Sequence, residues 1–145
     1  MLERAREKGL RRTVAADALH LPFPDASFEA VTVAFGLRNM ESWPGALREI
    51  SRVLTPGGHL LVLDFSMPRP PLRALYRFYL HRVLPVIAGI VTREKSAYQY
   101  LGDSIEKFPA GAAMLSLIAE CGFASPTCQP LTAGVVSIYT AVNAS

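Results

Sequence analysis

Two apolar runs of strand length, separated by one amphipathic helix, constrain this chain more than any other feature. The first, Phe28 to Phe35, reads Phe-Glu-Ala-Val-Thr-Val-Ala-Phe, and the second, His59 to Phe65, reads His-Leu-Leu-Val-Leu-Asp-Phe. Between them Ala46, Leu47, Ile50, Val53 and Leu54 recur at helical spacing. Glu41-Ser42-Trp43-Pro44 starts that helix, with Ser42 as N-cap and Pro44 tolerated in the first turn. Thr55-Pro56-Gly57-Gly58 ends it in a turn. Runs this apolar suit the inside of a parallel sheet. The alternation of strand and helix points to a doubly wound α/β sheet.

The rest of the chain extends the pattern. Met1 to Lys8 reads as the end of a helix closed by Gly9. Arg12 to Asp17 reads as a short buried strand, and Leu19 to Ser27 as a loop holding Pro22, Pro24 and Asp25. Residues 66–108 stand apart as lid or substrate helices within a single domain covering 1–145. Pro68, Pro70 and Pro71 mark a break, and an arginine-dotted helix then runs from about Leu72 to Leu84, where Pro85 kinks or ends it. A helical stretch from Glu94 to Phe108 and a helix from Ala110 to Glu120 follow. Two strands close the chain, Thr127–Leu131 and Val135–Val142, joined by Thr132-Ala133-Gly134.

Composition excludes several classes of function. With 145 residues, half of them hydrophobic and 19% charged, the chain is one globular domain and not a disordered segment. A net charge of +3 without a dense basic run gives no footprint for nucleic acid. Cys121 and Cys128 have neither zinc nor redox spacing, so they read as two lone buried thiols and no metal site is expected. The first residues do not resemble a signal peptide, which suggests a cytoplasmic protein. Residues 72–91 have about the length of a membrane span. Arg73, Arg77, His81, Arg82 and Pro85 interrupt them. Each mid-bilayer arginine costs about 2.5–3.5 kcal/mol on insertion scales. A lid or interfacial helix fits better, and a plain surface helix remains open.

The chemistry-bearing residues cluster after the first run. Phe35-Gly36-Leu37-Arg38-Asn39 presents an arginine and an asparagine at the carboxyl end of a strand, where open α/β sheets bind ligands. Asp17-Ala18 and Leu21-Pro22-Phe23-Pro24-Asp25 lie upstream. Downstream come Arg52-Val53-Leu54 with Pro56-Gly57-Gly58, then Leu63-Asp64-Phe65-Ser66-Met67-Pro68, and finally Leu131-Thr132-Ala133-Gly134-Val135-Val136. Together these segments resemble the ubiquinone/menaquinone biosynthesis C-methyltransferases, class I enzymes that use S-adenosylmethionine. The Pro-Gly-Gly turn and the Leu-Pro-Phe loop are general to that class. Phe-Gly-Leu-Arg-Asn and Leu-Thr-Ala-Gly-Val-Val are far more specific. The resemblance runs from Met1 to about Asn143.

The resemblance implies a Rossmann-like fold, S-adenosylmethionine as cofactor and a polyprenylated quinol as substrate. It assigns adenine contacts to the Asp17 carboxylate and the Ala18 N–H. Phe35 and Gly36 line the wall beside the methionine part. Ala34 stands where the family often has serine, so only a backbone contact survives there. Methyl transfer to carbon needs an electron-rich ring, so a quinol hydroxyl must give up or share its proton. Arg38 then holds the developing phenolate through its fixed fork of donors, and Asn39 orients the same oxygen or a bridging water. Alternatives stay open: Asp17 as a helix or turn cap, and Arg38 as a surface ion pair with Glu41 or Asp64. His20, His59 and His81 are scattered and fit solvated or capping roles. Leu72, Leu75, Phe78, Tyr79, Leu80, Val83 and Leu84 offer a groove for a prenyl tail. Arg69, Arg73, Arg77 and Arg82 would meet anionic headgroups in peripheral contact with the inner membrane face.

The family pattern is not fully present. No Gly-x-Gly loop occurs in the chain, whose only close glycine pair is Gly57-Gly58. Met1-Leu2-Glu3-Arg4-Ala5-Arg6 resembles a helix that follows that loop in the family. The expectation is therefore a carboxyl-terminal part. In the family strand order 3-2-1-4-5-7-6 it would supply strands 3, 4, 5, 6 and 7. The strand ending at Phe35 would expose an edge and favour self-association into a dimer, and binding of S-adenosylmethionine by the chain alone would be weak. Two other readings remain, a non-catalytic self-associating module and another small-molecule methyltransferase.

Overall fold

The computed structural model describes residues 2–9, 12–84, 86 and 95–145. Its centre is a four-stranded mixed sheet in the order β1-β2-β4-β3. β1 (Phe28–Ala34) and β2 (Leu54–Phe65) run parallel and are joined through α2 (Trp43–Val53). β4 (Val136–Asn143) lies antiparallel to β2, and β3 (Phe123–Leu131) antiparallel to β4. α1 (Leu2–Glu7) precedes the sheet. α3 (Leu72–Phe78), α4 (Lys95–Lys107) and α5 (Ala112–Glu120) lie between β2 and β3 in the chain.

The strand–helix–strand unit forms as its sequence dictates. Ser42 Oγ accepts the Gly45 N–H at 3.1 Å and caps α2, with Pro44 in the first turn. The helix buries Ala46, Leu47, Ile50 and Val53, the same stripe that its spacing marks. Ala46, Leu47 and Ile50 join Leu60 and Val62 of β2, Met114 and Ile118 of α5, and Tyr139 and Ala141 of β4 in one core. Burial pushes the Tyr139 phenol up, and its oxygen accepts the Gly111 N–H at 3.0 Å.

Two polar clamps fix the helix to its surroundings. Arg52 reaches the Phe23 carbonyl, the Leu21 carbonyl and Asp25, while both of its ends hold Glu49. Glu49 in turn accepts the Leu21 N–H at 2.8 Å, so the Leu21–Asp25 loop is tied to α2. The Arg52 hydrogen bond holds the Glu49 carboxyl below its usual range, against the opposing effect of burial. At the other end, Asn143 is buried. Its amide donates to the carbonyls of Ser51, Leu54 and Thr55, and its oxygen accepts the Ser51 hydroxyl at 2.7 Å. That satisfied network locks β4 against the end of α2.

Several expectations change. Arg12 to Asp17 is not a strand: residues 12–16 have no ladder, and Asp17 makes only an isolated antiparallel bridge with His20. A strand draws its backbone bonds from a neighbour, and none of the described residues pairs with this segment. The sheet therefore has four strands where five were expected. β2 begins at Leu54, not His59, and the Pro-Gly-Gly turn sits inside it as an irregularity opposite Phe28–Ala30. Gly57 takes φ +77° there, and a Cβ on Gly58 would meet the Thr55 carbonyl oxygen at 2.9 Å, so the bend requires glycine. α3 gives way after Phe78 to a π-helical turn, Tyr79–Val83. α5 starts at Ala112 rather than Ala110. Pro85 and Glu94 lie outside the described residues.

β1 is an edge strand among the described residues. The Phe35 N–H donates to the Leu63 carbonyl at 2.8 Å, which fixes the direction of alternation. Val31 and Val33 face β2 with their backbone groups, whereas Ala30, Thr32 and Ala34 turn theirs outward.

Candidate functional site

The carboxyl end of β1 turns sharply. Phe35 adopts φ +54°, a left-handed conformation that costs an aromatic residue about 1–3 kcal/mol. Three contacts hold it there. Its carbonyl accepts Arg38 Nη1 at 2.8 Å and the Asn39 amide at 3.3 Å. Its ring lies 4.8 Å from that of Phe65, centroid to centroid. Leu37–Asn39 then form one turn of 3-10 helix, with Leu37 buried beneath it.

Arg38 is anchored by Asp64. Along β2 the inward positions are Leu60, Val62 and Asp64, so a carboxylate stands in an apolar row and is fully buried. It is satisfied from three directions. Oδ1 accepts Arg38 Nη1 at 3.0 Å and the Phe65 N–H at 2.9 Å, and Oδ2 accepts the Arg38 N–H at 3.3 Å. The Arg38 side chain is only 10% exposed and its Cζ lies 5.1 Å from the Phe65 ring centroid, a cation–π distance. Its Nε is buried without a partner, and Nη2 makes no hydrogen bond among the described residues.

Phe35, Gly36, Arg38 and Asn39 are thus brought together at the ends of β1 and β2. Ala34 closes β1 beside them, opposite Leu63. Gly36 has φ −111°, which any residue adopts, and a Cβ there would meet only ordinary contacts. Its lack of a side chain leaves open the wall next to Phe35. Asp17 and Ala18 stand apart, and no hydrogen bond or ion pair among the described residues joins them to Arg38. Asp17 caps its own turn, its carboxylate accepting the Leu19 N–H at 2.9 Å and lying 3.7 Å from His20. The turn-cap alternative is the geometry observed. Arg38 does form an ion pair, with Asp64 and not Glu41 as partner, but the pair is buried and not at the surface as expected.

Sequence reasoning offered Asp64 only as one of two possible ion-pair partners of Arg38, and it missed Phe65 and the burial of the pair. The signal was available: a carboxylate at the same inward parity as Leu60 and Val62 demands a buried cation. It also missed that Arg38 Nη1 and the Asn39 amide are spent on the backbone. The donors left for a ligand are Arg38 Nη2 and the remaining amide hydrogen of Asn39, with Asn39 Oδ1 as an acceptor.

Toward S-adenosylmethionine the chain offers the open wall at Phe35 and Gly36 and, within its 145 residues, no Gly-x-Gly loop.

Comparison with known proteins shows the family and the fold. The ubiE/COQ5 methyltransferase family matches residues 2–143. The demethylmenaquinone methyltransferase of Thermus thermophilus is 47% identical over 140 residues, covering 94% of this chain and 62% of that protein. The ubiquinone/menaquinone biosynthesis C-methyltransferase UbiE of Laribacter hongkongensis is 44% identical over 138 residues, covering 94% of this chain and 57% of that protein. The chain therefore spans about three fifths of the length of these relatives. Among solved structures, a SAM-dependent methyltransferase of Thermotoga maritima superposes with a TM-score of 0.67 at 18% identity, covering 99% of this chain and 69% of that one. A SAM-dependent methyltransferase of Aquifex aeolicus gives 0.62 at 14% identity, covering 97% and 60%. These likenesses show the Rossmann-like class I fold. The chain belongs to the ubiE/COQ5 methyltransferase family.

Removing one partner of a buried ion pair leaves an uncompensated charge, which costs about 3–5 kcal/mol. Asp64→Ala is expected to lower the unfolding free energy measured in urea by that amount, because Arg38 loses its anchor. An unfolding free energy within about 1 kcal/mol of wild type would show that Arg38 finds water instead.

Proposed function

We propose that this chain forms the substrate-facing part of an S-adenosylmethionine-dependent C-methyltransferase acting on a polyprenylated quinol of menaquinone or ubiquinone biosynthesis. The observation that carries the reading is the Arg38–Asp64 pair at the carboxyl ends of two parallel strands, with Arg38 Nη2 making no hydrogen bond among the described residues. S-adenosylmethionine, when bound, supplies an electrophilic methyl group. The chain's own residues act on the quinol.

Arg38 Nη2 donates to the quinol oxygen and stabilises it as it becomes a phenolate, the oxyanion on which attack from the ortho carbon depends. A guanidinium is not a base, so the proton leaves to water. Asn39 Oδ1 orients the hydroxyl or that water. Asp64 does not touch substrate. It fixes the plane of the guanidinium, and Phe65 beneath it excludes solvent. Ala34, Phe35 and Gly36 form the flank toward the cofactor. Asp17 and Ala18 serve its adenine once the turn at Asp17 faces it.

Contacts with a lipid surface belong to the same reading. Leu72, Leu75, Phe78 and Tyr79 are exposed on and just after α3, with Leu75 66% exposed, and Arg69, Arg73 and Arg82 lie exposed around them. Among the described residues no helix is long and apolar enough to cross a membrane. The arrangement suits a helix lying in the headgroup layer. Self-association through the outward backbone groups of Ala30, Thr32 and Ala34 is the third part of the proposal.

Three measurements test these parts. In a hybrid where this chain replaces the aligned stretch of the Thermus thermophilus relative, methyl transfer to a demethylmenaquinol is expected. Arg38→Ala should lower kcat about 10²–10³-fold, the effect of losing one oxyanion donor. A folded hybrid in which Arg38→Ala matches wild type refutes the role of Arg38. The chain should cosediment more with vesicles containing phosphatidylglycerol than with pure phosphatidylcholine, and Leu75→Glu should reduce both. Equal sedimentation with the two vesicle types removes the electrostatic component. Light scattering should give a mass above the monomer that falls for Thr32→Pro, since proline removes an outward donor and spares the bonds to β2. A monomer at every concentration contradicts edge pairing.

A further inference from the structure

We propose that the cavity between the end of β2, the start of α3, the start of α5 and the β3–β4 turn receives the isoprenoid chain of the quinol. The inference rests on the quinol reading above and assigns its tail a place that the sequence did not indicate. The cavity encloses about 840 Å³, within the 300–1,000 Å³ range typical of small-molecule sites.

Its position relative to Arg38 is set by β2. Asp64 and Ser66 share the inward parity of that strand, and Ser66 lines the cavity. The Ser66 N–H donates to the Val135 carbonyl at 2.9 Å, so the extended path continues past Phe65. Residues two apart on one face of a strand are separated by about 7 Å. The cavity thus opens roughly one strand repeat from the carboxylate that holds Arg38. A ring held at Arg38 Nη2 would have the cavity within reach of its substituent.

The lining can receive an apolar occupant. Ala112, Leu115, Met67 and Pro130 present carbon to the space. The Ser66 and Ser137 hydroxyls are already satisfied: Ser66 Oγ donates to the Gly134 carbonyl at 2.7 Å, so the Ser137 hydroxyl, 2.9 Å away, donates to Ser66. A hydrocarbon covering them leaves no hydroxyl donor unpaired, which would otherwise cost about 1–3 kcal/mol. Arg69 and Arg73 also line the cavity, and both side chains are exposed, so their charged ends can stay in water. Leu72 lines the same cavity and is also part of the exposed apolar stripe of α3. Apolar surface therefore continues from the lipid-facing helix into the cavity, as a chain drawn from a bilayer requires.

The predicted groove differs from this one. Leu80 is 2% exposed and faces the core, so Leu72 to Leu84 do not line a single channel. The π-helical turn at Tyr79–Val83 helps carry Leu80 inward while Leu72, Leu75 and Phe78 remain outside.

Cys128 lines the cavity, whereas Cys121 is buried below α2 with its thiol directed at the Pro44 carbonyl. This gives an internal control. The full chain is labelled with a maleimide, with and without farnesol, and modification at each cysteine is followed by mass spectrometry. Farnesol carries an isoprenoid chain but no quinol ring. It therefore tests the cavity, while methyl transfer by the hybrid tests the ring chemistry. Farnesol is expected to slow labelling of Cys128 about tenfold at ten times its Kd, with Cys121 unchanged. Ala112→Trp places an indole in the cavity from an exposed position and should abolish the protection without changing the thermal melt. An unchanged Cys128 rate overturns the proposal. So does equal slowing of Cys121, or protection that persists in Ala112→Trp. Protection of Cys128 that appears with rising protein concentration and no farnesol assigns the cavity to a second copy and also overturns it.

Discussion

The Arg38–Asp64 pair holds the end of the sheet together. Asp64 occupies a position that β2 otherwise gives to Leu60 and Val62, and a lone buried carboxylate there would be costly. Arg38 neutralises it, and the backbone N–H groups of Arg38 and Phe65 complete its hydrogen bonds. The reach from β1 to β2 obliges the chain to turn at once after Ala34. Phe35 enters the left-handed region because the guanidinium that holds Asp64 also holds the Phe35 carbonyl. Two well-packed apolar residues in place of the pair would keep the sheet stable. They would not keep the turn, and the polar groups of Arg38 and Asn39 would no longer gather at the strand ends.

One side chain can support the turn and still face a ligand because of guanidinium geometry. Its nitrogens diverge in a rigid plane. Nη1 is spent on Asp64 and Phe35, stacking on Phe65 fixes the plane, and Nη2 is left over. A lysine at 38 would have one nitrogen for all of these contacts. The buried, unpartnered Nε is the cost of this geometry, because the plane that serves Asp64 leaves Nε among apolar atoms.

The strand–helix–strand unit was legible because its determinants are local. Ser42 caps its own helix, the apolar stripe of α2 is periodic, and β1 and β2 are continuous apolar runs. What was not legible depends on partners. Arg12 to Asp17 has strand-like composition, but a strand exists only as one of a pair. Gly57 and Gly58 marked a turn correctly, yet the sheet carries β2 through it because Leu54 pairs with Phe28. Phe35 was recognised as a site residue, whereas its positive φ was not, since intrinsic preference argues against an aromatic there. Asp17 gives the opposite lesson: its role toward adenine came from resemblance, and its geometry is that of a turn cap. Asp64 was one of two ion-pair partners offered for Arg38, and its parity with Leu60 and Val62 would have singled it out over Glu41 as the buried one.

The segment from Leu72 to Val83 poses the remaining physical question. A helix with one apolar stripe buries it against its own protein. This segment turns Leu80 inward and still leaves Leu72, Leu75, Phe78 and Tyr79 in solvent. Contiguous exposed apolar surface on a globular protein marks an interaction site. Arginines around the patch match an anionic lipid surface, and the patch is continuous through Leu72 with a cavity whose Ser66 and Ser137 hydroxyls are satisfied. On the proposed reading, a substrate with a polar ring and a long hydrocarbon tail would have both needs met along one path. The tail would stay in apolar surroundings from bilayer to cavity, so extracting it would expose little hydrocarbon to water. The ring would meet its hydrogen-bond partners at the strand ends, where Asp64 fixes Arg38.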